Sequence, residues 1–426
     1  MLKISTIAMW LAMNAAAALA DSAPARAEGE AAASGQTPAS TPAASMPDAS
    51  LPAASRPAPK PAASAQGPAP SDQTGWFDSL SAQAQQLEEK YGTRLGLGSA
   101  YTEQAPLAGE HQGAARGGWS YWLGIEQRLW PGATLSAGAE GGAGKGLERI
   151  FPTYSGLNDS AAEPEAIYLA DLHIFQKLDE DRLALAGGIM NLTQWFDKNA
   201  VANNSSTQFL SSSLVNNPTI PFPYAMPGIM VQRALTDWAS FQTGVAFNDA
   251  LAHQFFPLHY QYLREDFVVN VNELDLTAKL NEREGHYRLL YWLDHRCETI
   301  LDGDRRTSQG FAASVDQSVA EHVTLFARYG LSQRQVPPVE QFWSFGGELA
   351  QPLPDRTEDA LGAAVAQSIL RHAVHGAAET LYELYYRFAI THALYLTPDL
   401  QFISNPAGDS NADFTVVLGL RLSLSF

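Results

Sequence analysis

A single cysteine, Cys297, occurs in 426 residues, so no intramolecular disulfide can form and no zinc-type thiolate cluster exists. Charge is sparse, at 17% of the chain, and the basic sign is the scarcer one: 27 Lys and Arg stand against 45 Asp and Glu, a formal net charge of -18. Such a chain repels nucleic-acid phosphates, which excludes a nucleic-acid binder. Beyond the N-terminal region no run of roughly 18 consecutive apolar residues occurs, so no transmembrane helix is available. Enzyme signatures are missing as well. Gly141 to Gly146 has a superficial likeness to a phosphate loop, but Ala139 stands where the first glycine belongs and Gly146 where a Ser or Thr must follow Lys145. There is no Gly-x-Ser-x-Gly, no His-Glu-x-x-His and no EF-hand loop. His372 and His375 are three apart but have no third ligand nearby. The sequence reads as neither an enzyme nor the carrier of a cofactor or metal.

What is present excludes disorder throughout: 46% of residues are hydrophobic and 10% aromatic. Residues 1–20 carry Lys3, the apolar run Ile7 to Met13 and the small-x-small ending Ala18-Leu19-Ala20, the pattern of a secretory signal peptide. Residues 21–75 hold 10 of the 25 prolines and no aromatic residue. With nothing to bury, that segment is expected to be a disordered Pro/Ala/Ser-rich tether reaching at most about 170 Å. It reads either as a spacer with a cell-wall contact or as an unselected leader. Residues 76–91 are helix-compatible, with Asp78 or Ser79 as the expected N-cap, and their few apolar positions suit a cover at a barrel mouth.

From residue 92 onward the dominant signal is period-two alternation. In Phe414 to Phe426 every even position is a large apolar residue, while the odd positions include Thr, Gly, Arg and Ser. One greasy and one polar face, over a length that suits a tilted membrane crossing of about 9–11 residues, is the signature of a barrel strand. The same pattern recurs in Tyr382 to Ile390, Trp119 to Trp130 and Leu274 to Leu280. Read along the chain it predicts about 16 strands, running from Thr93–Thr102, Trp119–Trp130 and Ala133–Gly142 to Ala393–Phe402 and Asp413–Phe426. Short turns such as Pro131-Gly132 alternate with long polar connections, as they do at the two ends of an outer-membrane barrel. The expected fold class is therefore all-β: a transmembrane antiparallel β-barrel over residues 92–426. Terminal Phe426 closes the last apolar row, and in an exported chain it resembles the aromatic end read by barrel-insertion machinery.

The longest connection, residues 192–224, is about thirty residues long, which marks it as functional or mobile. Its neutral polar groups, among them Asp197's neighbour Asn199 and Gln208, are interrupted by Trp195, Phe196, Phe209 and Phe222. It reads either as an exposed polar loop or as an inward-folded constriction. Its aromatics need burial and a barrel of this size has an open lumen, which favours the second. On the strands, the polar parity carries Glu126, Arg128, Glu273, Asp275, Arg288, Trp292, Asp294, Arg328, Glu383, Arg387 and Arg421. Charge facing lipid at mid-depth costs about 2–4 kcal/mol per Arg, so these side chains belong in the lumen. Most are water-facing by necessity. A minority could bind solute, Arg through its forked donors, carboxylates as hydroxyl acceptors and Trp292 by stacking on a pyranose face. The candidate substrate-binding residues are thus Arg128, Glu126, Arg288, Trp292, Asp294, Arg328, Glu383, Arg387, Arg421, Asp197, Asn199 and Gln208.

Several stretches resemble the carbohydrate-selective porin family of OprB type: Gly188-Ile189-Met190-Asn191, Phe196-Asp197-Lys198-Asn199, Thr207-Gln208-Phe209-Leu210 and Asn216-Asn217-Pro218. So do Asp316-Gln317 with Leu325 to Gly330, Glu379 to Arg387, Pro398 to Pro406 and Leu418 to Phe426. The likeness covers the chain from about Thr93 onward; the long tether lies outside the common family pattern. It implies a 16-stranded outer-membrane pore for passive diffusion of small sugars into the periplasm of a Gram-negative bacterium, with no covalent step. The partners it implies are sugars or other small hydrophilic solutes, outer-membrane lipid and lipopolysaccharide, and the insertion machinery. A general small-solute porin and a structural or adhesive barrel are the competing readings, separated from it by sugar block and by conductance.

Overall fold

The computed structural model describes residues 76–109, 111–144, 146–162, 167–223, 225–247, 268–298, 305–333, 338–371 and 376–425. The expected signal peptide, the 21–75 tether, His372, His375 and Phe426 lie outside the described residues.

Helix α1 (Trp76–Tyr91) runs into sixteen strands: β1 (Thr93–Ala108), β2 (Arg116–Trp130), β3 (Ala133–Ala143), β4 (Tyr168–Leu178), β5 (Leu183–Met190) and β6 (Met226–Ala234). There follow β7 (Ala239–Phe247), β8 (Val268–Leu280), β9 (Arg283–Glu298), β10 (Arg305–Ala320) and β11 (Val323–Ser332). The last five are β12 (Val339–Ala350), β13 (Ala360–Leu370), β14 (Glu379–Ala389), β15 (Leu394–Ser404) and β16 (Thr415–Ser425). Each strand pairs with its sequence neighbours, and β1 closes on β16 from Gly98 opposite Ser425 to Ala108 opposite Val416, making one closed antiparallel barrel. Closure leaves no unpaired edge, which a membrane interior would penalise.

The alternation has the physical sense the sequence implies. On β16, Leu418, Leu420 and Leu422 are 45–48% exposed on the outside, while Arg421 and Ser423, at the alternate positions, are buried inside. Trp119, Trp130, Trp238 and Phe388 stand exposed near strand ends, where amphipathic rings meet the headgroup level. The β8–β9 hairpin turns on Asn281 and Glu282, both at positive φ (51° and 65°), the tight two-residue geometry that matches strand twist.

Two expectations need correction. Strand β1 runs to Ala108 rather than Thr102, so the first connection shortens to residues 109–115. The polar Glu103 and Gln104 looked like loop, but Gln104 continues the buried inner face of the strand beyond Thr102, and a bulge beyond Pro106 ends it. Helix α1 begins at Trp76, so Asp78 and Ser79 lie inside its first turn and do not cap it. At its other end Glu88 pairs with Arg94 of β1 at 2.9 Å, and Arg94 reaches Glu126 of β2 at 3.2 Å.

Candidate functional site

The β5–β6 connection, residues 191–225, builds its own shape from side chain to backbone. Asn191 Oδ1 accepts from Thr193 N (3.0 Å) and Asn217 Oδ1 from Thr219 N (3.1 Å). Asn204 Oδ1 accepts from Ser206 N (2.8 Å), and Gln208 Oε1 from the N–H groups of Asn203 (2.7 Å) and Asn204 (3.1 Å). These are the local turns that Asn, Gln, Ser and Thr offer in place of regular structure. Much of the polar content that looked available for sugar is therefore occupied in holding the loop.

Two apolar seats receive its hydrophobic residues. Leu192, Trp195, Phe196, Ile220 and Phe222 pack with Met190, Met230, Val269, Val271, Leu290 and Trp292 of the strands. Val201, Phe209 and Leu214 pack with Leu147, Phe151 and Leu157 of the β3–β4 connection and with Phe326, Phe342 and Tyr385 of the wall. The Phe209 ring lies 5.0 Å from Tyr385 and 5.8 Å from Phe326, centroid to centroid.

Between the seats, inward-facing charges from around the barrel take the loop's backbone. Arg288 of β9 donates to Lys198 O at 2.9 Å and pairs with Asp316 of β10. Arg328 of β11 donates to Leu214 O (2.7 Å) and Asp197 O (2.9 Å). Arg387 of β14 donates to Thr207 O (2.8 Å), and Arg421 of β16 to Ser205 O (2.6 Å) and Gln208 O (2.9 Å). Carboxylates take the opposite polarity: Glu273 of β8 accepts from Asp197 N (2.9 Å), and Glu383 of β14 accepts from Leu210 N and from Ser211 N (3.0 Å). Asn199 donates to Ser314 Oγ at 3.3 Å. Buried charges persist where such partners meet them. Asp197, at φ 56°, has a carboxyl raised above its ordinary range by burial, which Arg328 opposes.

The expected site residues thus divide. Arg288, Arg328, Glu383, Arg387, Arg421, Asp197, Asn199 and Gln208 meet at the loop. Trp292 is wholly buried in the first apolar seat, beneath the loop aromatics, and Asp294 is buried one inward position further along β9. Glu126 and Arg128 lie apart from them, at the end of β2 nearest α1. Lys198, Asn203, Asn204, Ser206, Thr207 and Gln208 are partly exposed polar residues of the loop. On the wall, Arg387 is 19% exposed, 3.9 Å from Glu348, and its guanidinium stands 5.6 Å from the Tyr395 ring.

A sequence model of the carbohydrate-selective porin family, OprB family, matches residues 152–426. The chain belongs to that family. The high-pH structure of Pseudomonas putida OprB superposes on the porin with a TM-score of 0.71 at 18% identity, over 82% of this chain and 97% of that one. The low-pH structure of the same protein gives 0.55 at 16% identity, with the same coverage. Among curated proteins, Porin AaxA of Chlamydia abortus is 22% identical over 287 residues, 63% of this chain and 59% of that protein. An uncharacterized protein of Aquifex aeolicus is 32% identical over 98 residues, 23% of this chain and 32% of that protein. The chain therefore spans between about a third and three fifths of the curated relatives it matches.

Sequence reasoning missed the β3–β4 connection of this outer-membrane porin. Its Gln104 and Gln401 contacts, both to Leu157 O at 3.1 and 2.8 Å, join β1 and β15 to that connection. Glu379 of β14 accepts from Ser155 N at 2.6 Å and Tyr154 N at 3.0 Å. The available signal was local: Leu147, Phe151 and Leu157 are apolar residues in an otherwise turn-like stretch and need burial.

Proposed function

We propose that the porin conducts small neutral sugars by passive diffusion through a water-filled passage, narrowed by residues 191–225 folded into the lumen. The observation that carries this reading is the set of four arginines, Arg288, Arg328, Arg387 and Arg421, which hold the backbone carbonyls of one connection from four different strands. A segment anchored that way spans the lumen, and its half-buried edge at Asn204, Ser206 and Thr207 offers an amide N–H and hydroxyl groups matched to sugar hydroxyls. Weak contacts at several levels let a solute enter and leave. In this reading residues 1–20 direct export and are removed, residues 21–75 tether the barrel on the periplasmic side, and Phe426 engages the insertion machinery.

A general small-solute porin is supported by one specific observation, that the arginines expected to bind sugar already donate to loop carbonyls. Single-channel conductance in a planar bilayer separates the two. Saturable block by glucose, absent with an uncharged non-sugar of similar size, is the expected result. Channels that do not discriminate would demote the protein to a size filter, and a folded barrel without channels would end the transport reading.

A further inference from the structure

Helix α1 carries an apolar stripe that the barrel only partly covers. Phe77, Leu80, Ala84, Leu87 and Tyr91 recur at spacings of 3, 4, 3 and 4, and every other residue from Asp78 to Lys90 except Ala82 is polar or charged. That is the a and d pattern of a coiled-coil seam, narrower than the face a helix presents to a globular core. Ala84 and Leu87 are half-buried, whereas Tyr91 is 58% exposed. The helix is rooted at one end. Gln127 Nε2 donates to Tyr91 O at 3.0 Å, Arg128 N donates to Gly92 O at 2.8 Å, and Glu88 pairs with Arg94. These ties lie in the last turn or just beyond it, and the packing of α1 on the barrel is mainly against β1. A helix laid across the barrel mouth would meet several walls.

A 16-residue helix standing in water is marginal on its own, so its stability asks for a partner along the stripe. The chain before it lacks the side chains for that: residues 21–75 hold Met46 and Leu51 as their only large apolar residues, too few to fill the seam. A second α1 fits on three counts. Its stripe has the same spacing, so the knobs of one helix meet the holes of the other. Copies inserted in one membrane share one orientation, which makes their helices parallel and in register, an arrangement that closes on itself by symmetry. Confinement to one plane raises their effective concentration, which offsets the low stability of a seam about two heptads long.

We propose that α1 is an assembly helix: it pairs in parallel with the α1 of a neighbouring copy along the Phe77, Leu80, Ala84, Leu87 and Tyr91 stripe, and holds porin barrels side by side. The inference is independent of which solute the barrel conducts. The test uses the full-length protein in outer membranes, with Cys297→Ala removing the native thiol. Under copper-phenanthroline oxidation Leu87→Cys, at a d position, should give a band at twice the protomer mass. Glu89→Cys, two residues on and about 200° around the helix, should give at least about tenfold less of it. Adding Leu87→Asp to an Ala84→Cys reporter places a charge in the seam and should abolish that reporter's cross-link, while the heat-modifiable band stays that of the folded barrel. Equal cross-linking of Leu87→Cys and Glu89→Cys would show freely colliding helices and overturn the inference. A folded protein that cross-links at neither position would overturn it as well. An Ala84→Cys cross-link that survives Leu87→Asp would assign any contact between copies to the barrel wall and overturn it too. Should Leu87→Asp not fold, the comparison of Leu87→Cys with Glu89→Cys decides the matter alone.

Discussion

Arg328 and Asp197 enclose each other. Arg328 Nε lies 3.4 Å from Asp197 Oδ1 with the two side chains 0% and 2% exposed, while Arg328 Nη2 donates to the Asp197 carbonyl at 2.9 Å. The second carboxylate oxygen takes Asn217 N at 2.8 Å, so one ion pair ties β11 to both limbs of the loop. Removing one partner strands a buried charge and costs about 3–5 kcal/mol, whereas removing both together is often close to neutral. Arg328→Met should therefore release the loop, seen as larger and noisier open-channel current with the strand content by circular dichroism unchanged. Adding Asp197→Asn should restore part of the loss. A quiet wild-type current in Arg328→Met would show that the apolar seats alone hold the loop.

Leu420 and Arg421 are neighbours on β16 with opposite fates, the first 48% exposed on the outer surface and the second buried inside. An Arg facing lipid at mid-depth costs about 2–4 kcal/mol. Leu420→Arg should lower the folding free energy into lipid vesicles by that amount, measured by urea titration. Arg421→Lys, which keeps the inward charge, should leave insertion nearly intact and instead loosen the loop carbonyls of Ser205 and Gln208. Equal losses for the two would contradict the assigned parity.

Parity of this kind is why the sixteen strands were legible from residue order alone: lipid demands an apolar side chain at every second position, and the barrel offers no other way to satisfy that demand. The site was less legible because its contacts are remote. Ser205 and its anchor Arg421 are 216 positions apart, and no local pattern links them. The inner wall also departs from simple polarity. Met190, Met230, Phe326 and Phe342 point inward because the loops bring apolar residues to meet them, so a polar-in rule fails wherever a loop covers the wall. The same cover explains why Trp292, expected to stack on a sugar, lies under Trp195 and Phe196 in one apolar cluster.

Gly188 and Gly187 look equivalent in sequence and differ in the barrel. Gly188 has φ 145°, and a Cβ there would stand 2.3 Å from Leu172 O and 2.6 Å from His173 Cα. At Gly187 the nearest atom to such a Cβ is Gly228 O at 4.0 Å. A strained backbone of this kind costs about 1–3 kcal/mol before any clash is counted. Gly188→Ala should reduce the yield of folded barrel, read as the heat-modifiable band on a gel, and Gly187→Ala should not. Similar yields would mean that β4 and β5 shift apart at little cost.

Glu148 supplies the pH dependence of the β3–β4 connection. It lies outside the strands, and its Oε1 accepts from Leu157 N at 2.7 Å and Asn158 N at 3.2 Å. Burial pushes its carboxyl from the ordinary 4.5 up to about 7, those two N–H groups pull it down, and the carboxylates of Asp159 and Glu379 push it up again. The seated connection therefore holds a proton that the released one gives up. Seating is unpenalised below about pH 4.5, weakens as pH rises toward 7, and is weakest above that, by an amount on the order of 3 kcal/mol. Hydrogen exchange of residues 147–162, corrected for intrinsic rates, should show less protection at pH 8 than at pH 5. Glu148→Gln keeps the accepting oxygen and removes this titration, so the difference in protection between the two values should shrink, with Glu379 still accepting from Tyr154 N and Ser155 N. A wild type equally protected at pH 5 and pH 8 would mean that Glu148 stays in one protonation state throughout, with the backbone N–H groups of Leu157 and Asn158 outweighing burial.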